Sequence, residues 1–353
     1  MSGETASRLA ARIRAEGPMP LAAFMGEAVA AYYRRERVFG AAGDFVTAPE
    51  ISQIFGELIG IWFALRWHAA GRPARFPLVE CGPGRGALIS DALRAARSVP
   101  GFADAIELHL VETSPTLAAA QAEALAGFPA TWHADLETLP DGPLHLVANE
   151  FLDALPVTQF VFRGGAWRER RVGLFRQDFA FVDGPEAAPP AEMLSRLPPP
   201  REGEIFETAP AAESFVATVA ARIAASGGAA LVFDYGHAES GFGDTVQAVS
   251  RHRYVQPLAD PGEVDLTAHV DFARIAETAR AHGAAAFGPA DQGVWLVAMG
   301  LPTRLTVLLR QATPEQTEEL VAGTRRLTEP HAMGRLFKTL ALLPVSAAPP
   351  EGF

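Results

Sequence analysis

A single cysteine, Cys81, is all the thiol chemistry in the chain, which excludes an internal disulfide framework and a cysteine zinc site. That fits a reducing compartment. Lysine is as scarce, with Lys338 the sole one. Positive charge is short overall: 30 Lys and Arg stand against 41 Asp and Glu, a formal −11. Such a balance leaves no general basic footprint for a nucleic-acid backbone, so a nucleic-acid partner is not expected. Long apolar runs are missing too. The longest, around Leu58 to Trp67, is broken by Arg66 and too short to span a bilayer, so no membrane insertion is expected. The N-terminal MSGETASRLAARIRAEG is charged and lacks an apolar signal core. The expectation from these absences is a cytoplasmic protein. His133, His237, His252, His269 and His282 are scattered with no close pair at ligand spacing, so no metal is expected.

What is present is a chain of 353 residues, nearly half apolar, long enough to bury one large core or two modest ones. Its first seventy residues read as helical. Leu21 to Tyr32 is apolar-periodic, and Ile51, Ile54, Phe55, Leu58, Trp62 and Leu65 form a 3.6-period stripe. Thr47 and Glu50 have capping-box spacing at the start of that second helix. Between the helices lies the glycine-bearing loop Gly40 to Phe45.

From Phe76 short apolar runs alternate with alanine-rich helical segments. Strands are expected at Pro77–Glu80, Glu107–Glu112, Thr131–Ala134, Leu144–Ala148 and Ala229–Phe233, with helices at Ala87–Ala96, Pro115–Leu125 and Glu213–Ala225. This alternation implies a parallel, doubly wound α/β sheet of Rossmann-like kind. It breaks at Val157–Phe162 and Trp167–Val172, which read as a β-hairpin across Gly164-Gly165, with Phe179–Val182 as a further strand and the Pro/Ala-rich 184–201 as loop. Four segments follow: a helical extension over 1–75, a core of 76–156 and 206–300, a β-rich insertion at 157–205 that forms a lid, and a helical C-terminal part over 301–353.

The segment Glu80-Cys81-Gly82-Pro83-Gly84-Arg85-Gly86 ends a strand with a carboxylate and then supplies three close glycines. Glycine lets the backbone take positive φ and approach a ligand, and the next helix adds unpaired amide donors. Ligands of open α/β sheets bind outside the carboxyl ends of the strands, where this loop falls. Gly82, Gly84 and Ala87 also satisfy the looser dinucleotide pattern, so the loop alone fits two cofactors. Glu80 would repel a pyrophosphate and suits the sulfonium and ammonium of S-adenosylmethionine. Glu112, ending the second strand, can accept the ribose hydroxyls, and Asp135, after the third, can accept from the adenine amine. Two of the acids have a structural alternative: Glu80 as a solvated strand-end charge, Glu112 as a cap for the helix after Ser114-Pro115. Cys81 reads as buried filler.

Several segments then resemble the MidA family. Gly43-Asp44-Phe45-Val46-Thr47-Ala48-Pro49-Glu50-Ile51-Ser52-Gln53-Ile54-Phe55-Gly56-Glu57 is similar to its GDFxTxPEISQxFGE signature, Glu80 to Gly86 to its ExGPGRG motif, and Asn149-Glu150-Phe151-Leu152-Asp153-Ala154-Leu155-Pro156 to its NEFxDALP motif. Asp260–Glu263, Asp265–Phe272 and Met333–Phe337 are also similar, so the resemblance spans roughly residues 20–340. The approach to the first motif, Tyr32 to Phe39, is slightly shortened. The resemblance implies a class I S-adenosylmethionine-dependent methyltransferase, with S-adenosylhomocysteine as product. It also implies protein arginine methylation, with a core subunit of respiratory complex I as target.

An arginine substrate is a planar cation that matches carboxylates in a fork geometry. Glu150 and Asp153, past the fourth strand, and Asp44 and Glu50, from the first motif, are the candidate catalytic acids. Asn149 is placed to hold the cofactor, while Phe45, Thr47, Asp234 and Tyr235 are placed at the substrate. Glu150 as part of a plain turn, Asp153 as a helix cap and Glu50 as a capping-box member are the structural alternatives. Three other functions stay open on the residues alone. A small-molecule O- or N-methyltransferase predicts a compact aromatic pocket. An assembly factor that only holds its partner predicts a blocked glycine loop, whereas all three glycines are intact. A nicotinamide dehydrogenase is disfavoured by Glu80.

Overall fold

The computed structural model describes residues 3–34 and 47–353. The chain gathers into two compact units rather than four segments. One comprises Met1–Phe45, Leu152–Phe215 and Glu239–Arg274; the other comprises Val46–Phe151, Val216–Ala238 and Ile275–Phe353. Pairing decides this grouping. Met19 and Pro20 pair antiparallel with Val172 and Arg171, which takes the first two helices into the unit of the hairpin.

The second unit is built on strands β1 (Phe76–Cys81), β2 (Ile106–Val111), β3 (Ala130–His133), β4 (Leu144–Asn149), β5 (Gly228–His237), β6 (Ala284–Asp291) and β7 (Phe337–Pro344). Their order across the sheet is β6-β7-β5-β4-β1-β2-β3. The first five run parallel, while β7 is antiparallel to both β5 and β6. The expected doubly wound α/β sheet is present, with an antiparallel edge added. β4 is buried along its whole length and β5 along all but its ends, the pattern of strands covered on both faces. Strand order reverses between β1 and β4, so a crevice opens there at the carboxyl ends. The segment 301–353 is not wholly helical: after Pro314–Thr328 it returns as β7, where Lys338 pairs with Asp291 at 2.9 Å.

Helix Gln53–Ala69 is apolar nearly all round and correspondingly buried, although Leu65, the last residue of the expected stripe, is exposed. Thr47 makes no side-chain cap bond; it precedes the short helix Ala48–Ile51 instead. Ser52 does the capping, its Oγ accepting from Ile54 N at 3.3 Å. The capping-box spacing misled because the chain breaks at Ser52, in extended backbone, before the long helix begins. That helix lies against Ala87–Ala96 at very close range. A Cβ on Gly60 would stand 2.5 Å from the Ala92 carbonyl oxygen, and one on Gly56 2.7 Å from that of Leu88.

In the first unit the hairpin forms as expected, Thr158–Arg163 with Ala166–Phe175, turned by Gly164 and Gly165 at φ 60 and 82. Asp178–Glu186 adds to it, running into the stretch expected as loop, and Ile205–Thr208 pairs on the other side. Helices Glu4–Glu16 and Leu21–Tyr32 share a core with this sheet through Leu9, Phe24, Met25 and Val172.

Candidate functional site

The loop after β1 turns through three left-handed glycines, Gly82, Gly84 and Gly86, at φ 63, 54 and 83. Gly82 N donates to the Val111 carbonyl at 3.0 Å and Gly86 N to that of Pro83 at 2.8 Å, so the loop is pinned to β2 and closed on itself. Gly86 then opens helix Ala87–Ala96. Side chains are excluded from this loop for a second reason. A Cβ on Gly82 would lie 2.9 Å from the Phe151 ring, so the turn after β4 sits directly on the glycine loop.

Glu80 is not a solvated strand-end charge. It is 2% exposed, and its Oε2 has no hydrogen-bond partner among the described residues. Burial pushes its carboxyl up to about 8, with the Ile89 backbone N–H opposing the shift. An acid left this way is incomplete without a cation or a donor.

Glu112 stands just past β2 with both oxygens engaged. Oε1 accepts from Ser114 N at 2.7 Å and Oε2 from Gln121 Nε2 at 3.0 Å. Helix Pro115–Ala124 is capped by Ser114, whose Oγ accepts from Leu117 N. Burial raises the Glu112 carboxyl, and the donors at Ser114 and Gln121 oppose it. Each carboxylate oxygen offers two lone pairs, so both retain acceptor capacity. Asp135 is exposed, and its Oδ1 accepts from Thr138 N at 3.0 Å in a local turn. The histidines hold a pair that their spacing hid. His109 Nδ1 and His133 Nε2 are 3.0 Å apart on adjacent strands, and no group of three metal-ligating side chains exists among the described residues.

The turn after β4 carries the second group. Glu150 is a non-glycine residue at φ 50, and its N donates to the Phe233 carbonyl at 2.9 Å. Its Oε1 accepts from Ala48 N at 3.1 Å and from Asn149 Nδ2 at 3.3 Å. Asn149 is buried, and its Oδ1 has no partner among the described residues. Asp234, fully buried, accepts from Phe151 N at 3.2 Å and Tyr235 N at 2.9 Å. That carboxylate braces the turn from below. The Tyr235 ring is buried against Phe337. Thr47 precedes Ala48 and Glu50 lies on the short helix two residues after it, both partly buried. Asp153 is buried in the first unit, its carbonyl accepting from Ala268 N at 2.9 Å. Asp44 and Phe45 lie outside the described residues.

The second unit thus brings together Glu80, the glycine loop, Glu112, Asn149, Glu150 and Asp234. Sequence reasoning missed Gln121, Phe151 and Ala48. A lone glutamine in an alanine-rich helix was the available signal for Gln121; Phe151 and Ala48 gave none beyond their places inside motifs.

A family profile described as putative S-adenosyl-L-methionine-dependent methyltransferase matches residues 58–290. The Drosophila melanogaster protein arginine methyltransferase NDUFAF7 homolog, mitochondrial, is 39% identical over 97% of this chain and 85% of its own length. The Homo sapiens protein arginine methyltransferase NDUFAF7, mitochondrial, is 38% identical over 94% of this chain and 82% of its own. A Burkholderia thailandensis crystal structure bound to S-adenosyl-homocysteine covers 100% of this chain and 97% of that chain, with TM-score 0.85 and 27% identity. The names of the curated relatives place them in the mitochondrion, which overturns the expectation of a cytoplasmic protein.

Proposed function

The chain belongs to this family of putative S-adenosyl-L-methionine-dependent methyltransferases, the one its motifs resemble, and from that premise we propose that it methylates an arginine of a protein substrate. The observation that carries the reading is the seat of the Asn149–Phe151 turn on Gly82. It supports a reading in which the turn that carries Glu150 borders the glycine loop proposed to hold the cofactor.

The residues present fit that cofactor. Glu80, buried with an unpartnered oxygen, would receive the cationic amino-acid end, and Asn149 Oδ1, likewise unpartnered among the described residues, is a second acceptor for its ammonium. Glu112 would accept the ribose hydroxyls, and Asp135 would border the adenine. When bound, S-adenosylmethionine supplies a methyl on a sulfonium, open to in-line displacement. The work left to the chain is to position the nucleophile and exclude water. Glu150 would hold the guanidinium and accept its proton, with Ala48 N and Asn149 Nδ2 fixing Oε1. Glu50 and Thr47, near Ala48, would line the approach of the substrate together with Tyr235. The relatives' names support arginine as the target residue.

The substrate protein we propose is a subunit of respiratory complex I, supported by the motif resemblance. Mass spectrometry of that complex from cells with and without this gene tests it. Loss of one arginine methylation without the gene is the expected result; an unaltered methylation pattern removes the complex I target.

A further inference from the structure

Gln121 is wholly buried in the second turn of a helix whose neighbours are mostly alanine, and both donors and the oxygen of its amide are engaged. Nε2 donates to the Gly84 carbonyl at 2.8 Å and to Glu112 Oε2 at 3.0 Å, while Oε1 accepts from Trp132 Nε1 at 2.9 Å. These partners leave the amide one orientation. An indole N–H can only donate, whereas a carbonyl and a carboxylate can only accept, so a flipped amide would face oxygen to oxygen twice. One side chain therefore joins the loop after β1, the acid after β2 and a tryptophan on β3.

We propose that Gln121 is the positioning residue of the cofactor site: it fixes the Glu112 carboxylate and the glycine loop in one register, so that the ribose meets an acid already oriented. The proposal rests on Glu112 as the ribose acceptor. Burial disfavours the charged form of Glu112, and the amide donor is one of the groups that oppose this. The arrangement also explains the choice of residue. Glutamate at 121 would set a second carboxylate against Glu112 and the Gly84 carbonyl. An apolar residue of the same length would fill the space and leave three polar groups without their partner. Gln121 also backs the loop sterically, its Cα standing 3.6 Å from the place of a Cβ on Gly86.

The test is calorimetric titration of the whole chain with S-adenosylhomocysteine and with its 2′,3′-dideoxyribose analogue. The natural protein should bind the first more tightly. Gln121→Met should lose roughly tenfold to a hundredfold in affinity for S-adenosylhomocysteine and several-fold less for the analogue, whose smaller loss reads the glycine loop alone. Trp132→Phe, which removes the donor to the amide oxygen and part of the ring but leaves Gln121 and Glu112 in place, should show a smaller loss with the same selectivity, and it decides the matter should Gln121→Met not fold. Equal losses for both ligands in these variants, or none, would overturn the role of Gln121 alone. A natural protein that bound both ligands equally would overturn the Glu112 reading and this proposal with it.

Discussion

The backbone N–H of Ala48 donates to Glu150 Oε1 at 3.1 Å, which joins two sequence motifs across 102 positions of the chain. The contact gives the first motif a chemical task. It holds one oxygen of the acid that the proposed reaction needs, while Asn149 holds the same oxygen from within the second motif.

Replacing Glu150 by glutamine keeps the shape and removes the charge and the proton acceptor. Cofactor affinity should stay within about threefold, whereas the rate of methyl transfer should fall by roughly 10²–10⁴, the span expected for loss of a general base. Binding by calorimetry beside a methylation assay separates the two. A parallel loss of cofactor affinity would assign Glu150 to the cofactor instead.

Glu80 sets a pH dependence whose sign can be worked out. Its carboxyl is held near 8 in the fold against an ordinary value of 4.5. The folded state therefore binds more protons than the unfolded one between these values, and stability falls as pH rises through that window. Glu80→Gln should flatten this slope in thermal unfolding followed from pH 5 to 8. Binding of a cationic cofactor favours the carboxylate, so the natural protein should release a proton, approaching one per site, when S-adenosylmethionine binds near pH 7. Titrations in buffers of different ionisation enthalpy would read it. Zero release would mean that Glu80 does not meet the cation.

Gly60→Ala sets two effects against each other. Helix propensity alone favours alanine by about 1 kcal/mol. A Cβ 2.5 Å from a backbone oxygen has no room, and such overpacking costs about 1–3 kcal/mol. The closeness of the contact makes packing win. The variant should be less stable by chemical denaturation; a gain in stability would show that the two helices can separate without cost.

Asp234→Asn tests the brace beneath the turn. Its carboxylate accepts one backbone N–H at each oxygen while fully buried, and an amide keeps one acceptor oxygen while setting an NH2 against the other N–H. A loss of about 1–3 kcal/mol in stability is expected, with methyl transfer impaired more than cofactor binding. Unchanged stability would leave Asp234 free of any bracing role.

Much of this molecule was legible along the chain because the signals are local. Alternation of short apolar runs with alanine-rich helices is the pattern that a doubly wound sheet requires, and helices Leu21–Tyr32 and Ala87–Ala96 fall where their periodicity places them. Gly164-Gly165 announced the hairpin because a two-residue turn needs positive φ twice. Acids after the first three strands, Glu80, Glu112 and Asp135, turned the glycine loop toward one of the two cofactors it fits. The Thr47–Glu50 spacing shows the limit of such signals: it matched a capping box, and Ser52 caps the helix instead.

The sequence by itself determined most elements of the parallel sheet, the glycine loop and the family. Only the tertiary structure decided what those residues meet. Burial of Glu80, the join of Ala48 to Glu150, the His109–His133 pair and the three bonds of Gln121 all depend on which strands lie side by side. Strand order brings together residues far apart in the chain, and no local period records it. The same holds for Met19 and Pro20, whose pairing with Arg171 and Val172 gathers the N-terminal helices and the hairpin into one unit. A glycine loop that fitted two cofactors thereby became a site with a buried acid, an oriented acid and an amide that joins the oriented acid to the loop.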